Sequence, residues 1–201
     1  MTPTAASRTA RERLLTAAGE LFYESGIAAT GVDAVLQRAG VSPATMYAHF
    51  AGKDGLVAAY LEDRYSAWHA TWDDVLAELD DPVDRLLSVF DAVDRYRQRE
   101  GNRRGCAFLA AATELPPGHP GQPWLAADSL LLTGRLRELA VAAGVDDPDE
   151  AAATLLLCYD GALARSAREW TTPDLGAGDP VRRARDVAAA WLTSRGTGAP
   201  A

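Results

Sequence analysis

The fold turns on residues 30–53, TGVDAVLQRAGVSPATMYAHFAGK, a stretch that punctuates itself into two short helices. Thr30 can cap a helix from Gly31 to about Arg38, with Asp33 three residues on in a capping-box-like arrangement. Ala39-Gly40-Val41 breaks that helix. Ser42 then caps another, with Pro43 at the first helical position where a missing N–H costs nothing, and this one reaches Phe50 before Ala51-Gly52 ends it. Two capped helices around a three-residue break have the length and turn chemistry of a helix-turn-helix. In the second of them Met46 and Phe50 stand four apart and are expected to pack inward with Leu21, Phe22, Val32 and Val35. That leaves Ala44, Thr45, Ala48 and His49 outward with Tyr47 at the flank, a small hydrogen-bonding face that can approach base edges closely. Thr30 and Ser42 lie at helix N-termini, where N–H groups suit a phosphate, and Lys53, the only lysine of the chain, follows directly. Plainer roles stay open at single positions: Tyr47 could cover the apolar stem of the head, and His49 could be a solvated surface residue.

Outward from this segment the chain reads as helix in both directions. The first helix runs from about Arg8 to Ser25 with Leu14, Ala18, Leu21 and Phe22 on one stripe and Gly26 as its stop. Downstream, Lys53 to Leu79 carries Val57, Leu61, Tyr65, Trp68, Trp72 and Leu76 at three- and four-residue steps. Asp81-Pro82, Asp147-Pro148 and Asp179-Pro180 each open a helix, ending near Glu100, Trp170 and Ser194. A short helix from Cys106 to Leu115, a Pro-Gly loop, and a helix from Trp124 to Ala143 stopped by Gly144 complete the series, and the tail GTGAPA reads as frayed. No run alternates as a strand would. The expected fold is all-α with about nine helices: a helix-turn-helix head over residues 1–52 and a helical domain over 53–201.

Composition narrows the function classes. Among 201 residues, 48% are hydrophobic and 24% charged, which fits a globular chain and not a disordered one. A net charge of −8 argues against a surface that coats nucleic acid or an anionic membrane, yet the charge is unevenly spread. Residues 1–53 hold five basic and four acidic groups; residues 54–201 hold 15 and 24. Three of the five, Arg8, Arg11 and Arg13, lie at the amino end, where an arm or first helical turn could reach phosphate or the minor groove, or simply be solvated. The richest apolar stretch, Ala151 to Tyr159, is nine residues, and the opening MTPTAASRTARER has no signal-peptide apolar segment. A cytoplasmic location without a membrane partner is expected.

The ordered types from Arg11, R-x-R-L-L-x-A-A-x-x-L-F, then T-G-V-D-x-V from Thr30, A-G-V-S-x-x-T-M-Y-x-H-F from Ala39 and the trailing Lys53 resemble the DNA-binding head of the TetR family over about residues 8–60. The resemblance implies phosphate anchoring at Tyr47 and Lys53, recognition contacts at Thr45 and His49, and a phosphate contact at Thr30. Leu36 departs from it, standing where the family usually carries Ala. The remainder resembles the family's regulatory domains, which dimerise through their last two long helices and bind a small molecule among the preceding ones; R-G-C-A-F-L-A-A-A-T-E-L from Arg104 is reminiscent of one branch. Taken over the whole chain, the resemblance implies a ligand-responsive repressor, binding double-stranded palindromic operator DNA as a homodimer and released by a small-molecule effector.

For the effector pocket the candidates are Trp68, Trp72, Phe90, Phe108, Trp124 and Tyr159, which favour an apolar or aromatic molecule; aromatic stripes at helical spacing are core more often than ligand wall. Glu114 and Asp160 could select a cation. For the dimer interface they are Gly161, which permits close approach, and Val187 and Trp191 on the stripe that includes Ala188 and Leu192. Cys106 and Cys158 could form a redox switch or be small buried hydrophobes. His69 and His119 lack partners at metal-ligand spacing, so neither metal nor cofactor is expected. The rival reading, a helical enzyme using Cys106 or His119, has nothing else at catalytic spacing and leaves Thr45, Tyr47 and Lys53 unexplained.

Overall fold

The structure, a computed structural model, describes residues 9–100, 105–171 and 178–195. Arg8, Arg104 and the tail GTGAPA fall outside them. Among the described residues there are nine helices and no strand: α1 Ala10–Ser25, α2 Val32–Ala39, α3 Pro43–His49, α4 Gly52–Leu76, α5 Pro82–Glu100, α6 Ala107–Glu114, α7 Gln122–Ala142, α8 Pro148–Thr171 and α9 Pro180–Arg195. None of these is long and apolar enough to cross a membrane.

The helix starts follow from local chemistry. Each Asp before a proline turns its carboxylate onto the first turn: Asp81 accepts from the N–H groups of Val83 and Asp84, Asp147 from that of Glu150, and Asp179 from those of Val181 and Arg182. At α1 a full capping box forms, a feature absent from the sequence expectations. Glu12 N–H donates to the Thr9 hydroxyl at 3.2 Å and Thr9 N–H donates to the Glu12 carboxylate at 2.7 Å. The expected cap at Thr30 is corrected: α2 is entered through Gly31 with no side-chain cap. The Thr30 hydroxyl instead donates backwards to Gly26 O at 2.7 Å, with Leu21 O at 3.2 Å, and the residue is buried. Gly40 supplies the left-handed turn (φ 63°) between α2 and α3, a conformation that costs other residues.

Packing groups the described residues into two compact units, one up to Tyr65 together with Ala107–Ala127, the other Ser66–Cys106 with Asp128 onward. The first contains α1–α3 and the first part of α4, so it takes in more than the three-helix head bounded at residue 52. Its centre is Leu14, Ala18, Phe22, Val35, Leu36, Met46, Phe50, Leu56, Val57, Tyr60 and Leu61. Leu36 is buried there, so the head accommodates it. Leu21 and Val32, expected inside, are half-buried at its margin. Gly121, in this unit, packs so closely that a Cβ there would come within 2.9 Å of Leu61 Cδ1.

The second unit is centred on Trp72, Leu86, Val89, Phe90, Leu136, Ala140, Leu155, Ala188 and Leu192, with α9 packed on α8 and α5. Trp72 is wholly enclosed and its indole N–H donates to the Ser88 hydroxyl at 2.9 Å, which in turn donates to Arg85 O at 2.6 Å. Ser88→Ala therefore strands a buried N–H. We expect a loss of about 1–3 kcal/mol in urea unfolding, whereas Thr193→Ala on exposed α9 changes stability by less than about 0.5 kcal/mol.

Candidate nucleic-acid interface

The head sets one face of α3 towards solvent and locks the other. The Ser42 hydroxyl accepts the Thr45 N–H at 3.2 Å and lies 2.8 Å from the Thr45 hydroxyl. Met46 is fully buried and Phe50 nearly so, as their spacing required. Ala44, Tyr47, Ala48 and His49 are exposed, and Tyr47 shows 64% of its surface, far more than a core-covering aromatic would. Thr45, expected outward, is half-buried beside its cap. The Arg11 guanidinium sits 5.6 Å from the Phe50 ring centroid, which carries a cation from the first turn of α1 to the end of α3.

The turn after α1 is also held at Ala28, on both sides of the residue. Ala28 N–H donates to the Glu114 carboxylate at 2.6 Å, and Ala28 C=O accepts from Lys53 Nζ at 3.3 Å. An ammonium has three donors, so Lys53 keeps others for a second acceptor. His119 is buried; its Nδ1 accepts Gly121 N–H at 2.9 Å, which puts the ring proton on Nε2, 3.4 Å from Asp54 Oδ1 on the first turn of α4.

A different chemistry occupies the second unit. The Trp68 ring lies 5.8 Å from Trp72, 5.8 Å from Tyr96 and 6.1 Å from Tyr159 between centroids. The Trp68 indole N–H is buried without an acceptor. On α7, Asp128 is buried, and burial first, then the charge of Asp160, pushes its carboxyl up from 3.8 to about 7. The Tyr159 phenol is raised well above its ordinary range by burial, then by Cys106, Asp128, Asp160 and Tyr96. Arg135 covers the Trp72 ring at 4.8 Å and pairs with Asp73 at 2.8 Å.

Comparison with known proteins decides what kind of head this is. The family "Bacterial regulatory proteins, tetR family" matches residues 14–60. A crystal structure from Streptomyces avermitilis, assigned to the TetR transcriptional regulators, is 33% identical and superimposes with a TM-score of 0.70 over 90% of this chain and 99% of that one. The chain belongs to the TetR family. SCO4454, a TetR-family transcriptional regulator from Streptomyces coelicolor, is 28% identical with a TM-score of 0.80, covering 92% of this chain and 95% of its own. The HTH-type transcriptional repressor ComR of Escherichia coli K12 is 28% identical over 110 residues, 53% of this chain and 51% of that protein, so the match spans about half of that relative.

Within this TetR-family chain the candidate residues fall in two places. Ser42, Ala44, Thr45, Tyr47, His49 and Lys53 gather at α3 and the start of α4. Thr30 does not join them by its side chain, since its hydroxyl is committed inward. Of the six pocket candidates, Trp68, Trp72, Phe90 and Tyr159 come together in one core, whereas Phe108 and Trp124 belong to the unit that holds the head, where Trp124 lies 5.7 Å from Tyr65. Glu114 is bonded to Ala28 and so anchors the head turn. The contributions of Arg11 on Phe50, Glu114 on Ala28 and Asp128 in the core are not legible in the sequence. Only the capping box T-x-x-E at Thr9 had a local signal; the other contacts join positions far apart in the chain.

Asp128 gives a pH signature. Its folded carboxyl keeps a proton up to about pH 7, whereas the unfolded one releases it near the ordinary 3.8, so the folded state binds more protons between them. Stability therefore falls as pH rises through that window. Asp128→Asn is expected to raise the thermal midpoint at pH 8 while changing it little at pH 4, with a gain of at most about 4 kcal/mol.

Proposed function

We propose that this chain is a ligand-responsive transcriptional repressor that binds a palindromic operator as a homodimer, one α3 in each half-site, and is released by a small apolar or aromatic effector. The observation that carries the reading is Tyr47: a large aromatic held out to solvent on a helix whose opposite face is locked by Met46 and Phe50. A tyrosine there reaches phosphate with its hydroxyl, and Ala44 and Ala48 are small enough to let the helix approach base edges. Lys53, just after α3, and Arg11, over Phe50 at its end, supply cations beside this face. A cytoplasmic location suits a DNA-binding role.

Two heads are needed because a seven-residue recognition helix makes few contacts alone. Gly161 and Leu157 on α8 and Val187 on α9 are exposed, Leu157 by 75% and Val187 by 54%. Apolar side chains so exposed on the two adjacent helices are what a second copy would cover. Trp191, half-buried under Arg195 at 5.2 Å, would flank such an interface. Neither cysteine is joined in a disulfide, and burial pushes the Cys158 thiol up, away from the thiolate that a redox switch needs.

Release arises by population shift: an effector that prefers a DNA-incompetent conformation lowers operator affinity by its own preference ratio. α4 carries residues of both compact units and would transmit the change.

Titration of DNA flanking the chain's own gene tests the interface. Tyr47→Phe and Lys53→Ala should each weaken binding about tenfold across sequences, and Lys53→Ala should lower the salt slope by about one ion. Unchanged affinity in both variants removes the assignment. For assembly, Leu157→Asp is expected to convert a dimer into a monomer in sedimentation equilibrium; a wild-type monomer at micromolar concentration overturns the dimer.

A further inference from the structure

The second unit contains a buried acid with no partner. Asp128 is 6% exposed, yet among the described residues no arginine, lysine or histidine pairs with it, and the charge that acts on it is that of another acid. Its electrostatic neighbour is another carboxylate, Asp160. A carboxyl stranded in an apolar surrounding is costly, and proteins retain such groups where something else completes them.

The Asp128 charge acts on an aromatic neighbour. Tyr159 feels Asp128, Asp160, Cys106 and Tyr96, so these groups share one neighbourhood in the fold. The Trp68 ring meets Tyr159 on one side and stands edge-to-face with Tyr96 on another. Trp68 is itself 5% exposed, and its indole N–H, fully enclosed, has no acceptor. Two unmet demands therefore sit in one cluster: an acid lacking a cation and a donor lacking an acceptor. Neither can satisfy the other where they stand, since no bond joins them.

From this geometry we infer that the Asp128 cluster is the seat of an organic cation: an amine or quaternary ammonium whose charge lies between the Asp128 carboxylate and the faces of Trp68, Tyr96 and Tyr159, and whose uncharged part carries an acceptor for the Trp68 N–H. The attraction of a cation for aromatic faces adds to its attraction for the acid, and both strengthen where water is excluded. The neutral candidates suggested by the aromatic lining alone would leave Asp128 unpaired. The raised carboxyl of Asp128 agrees with this, because an arriving cation restores the ionised form that burial disfavours. The inference rests on the proposed ligand response only for its consequence at DNA; binding stands or falls separately.

Two probes of nearly equal shape separate charge from hydrophobicity. Benzyltrimethylammonium is a permanent cation, and neopentylbenzene is its neutral carbon isostere. Quenching of intrinsic tryptophan fluorescence in the full chain at pH 7.5 should give a dissociation constant at least tenfold tighter for the ammonium. Asp128→Asn should abolish that preference while leaving the neutral probe within about twofold, and Trp68→Phe should weaken the ammonium as well. Equal binding of the two probes to the wild type, no saturable binding of the ammonium, or an Asp128→Asn protein that keeps the preference overturns the cation site. The wild-type comparison decides the matter even if the variant fails to fold. Release of the flanking DNA is then measured with each probe. If the ammonium binds but leaves DNA affinity unchanged, the cation site survives and the effector reading fails; if only the neutral isostere binds and releases DNA, the reverse holds.

Discussion

A seven-residue helix does not hold itself together in water, and that constraint governs the head. Isolated helices shorter than about 12–15 residues are marginal because nucleation is unfavourable. α3 has seven residues and α2 eight, so their geometry must come from outside. Ser42 and Pro43 set the start of α3, Met46 and Phe50 fix its rotation by burial, and Gly40 sets its angle to α2. The outward side chains are free of structural duty as a result. The pairing of Ala28 with Glu114 and Lys53 extends the same logic to the turn before α2.

The division between what is legible in the sequence and what is not follows contact range. Asp-Pro starts, the Ser42 cap and the α3 burial pattern are local events, decided within one helical turn, and the structure repeats them. Thr30 departs from its expected role because its hydroxyl has two local options, forward to an N–H of α2 or back to Gly26 O, and only packing against α1 chooses between them. Trp68 and Trp72 lie four apart and both read as core. One finds Ser88 as an acceptor and the other finds none, a difference that depends on where α5 lies. Asp128 is the sharpest case. A carboxylate in a helical pattern ordinarily signals the solvated side, and nothing beside it in the sequence reports that α7 turns it inward.

Buried polar groups in the second unit therefore fall into two kinds. Trp72 donates to the Ser88 hydroxyl, which donates in turn to Arg85 O. Such groups rigidify a core. The Trp68 N–H has no acceptor and Asp128 has no cationic partner among the described residues, and Tyr159 connects them, 6.1 Å from the Trp68 ring and within reach of the Asp128 charge. A sequence selected for stability alone would place an apolar residue at 128, since an ordinary Leu or Ala there demands nothing. That the acid stands there is a departure from local consistency, and such departures concentrate where a chain does something other than fold.

Charge divides the chain at a different place from packing. The net of −8 is carried beyond residue 53, while the first 53 residues hold five basic groups against four acidic. In the proposed repressor this acidic region repels DNA, which would confine attraction to α3 and its flanking cations and make binding depend on both heads of a dimer engaging together. The same acidity favours the approach of a cation and disfavours that of an anion. On the two proposals, a cation near Asp128 and a phosphate near Lys53 would draw on opposite signs of field in separate parts of one chain. The two binding events need share no side chain, and any coupling between them must arise from a difference in conformational preference, not from competition for the same charge.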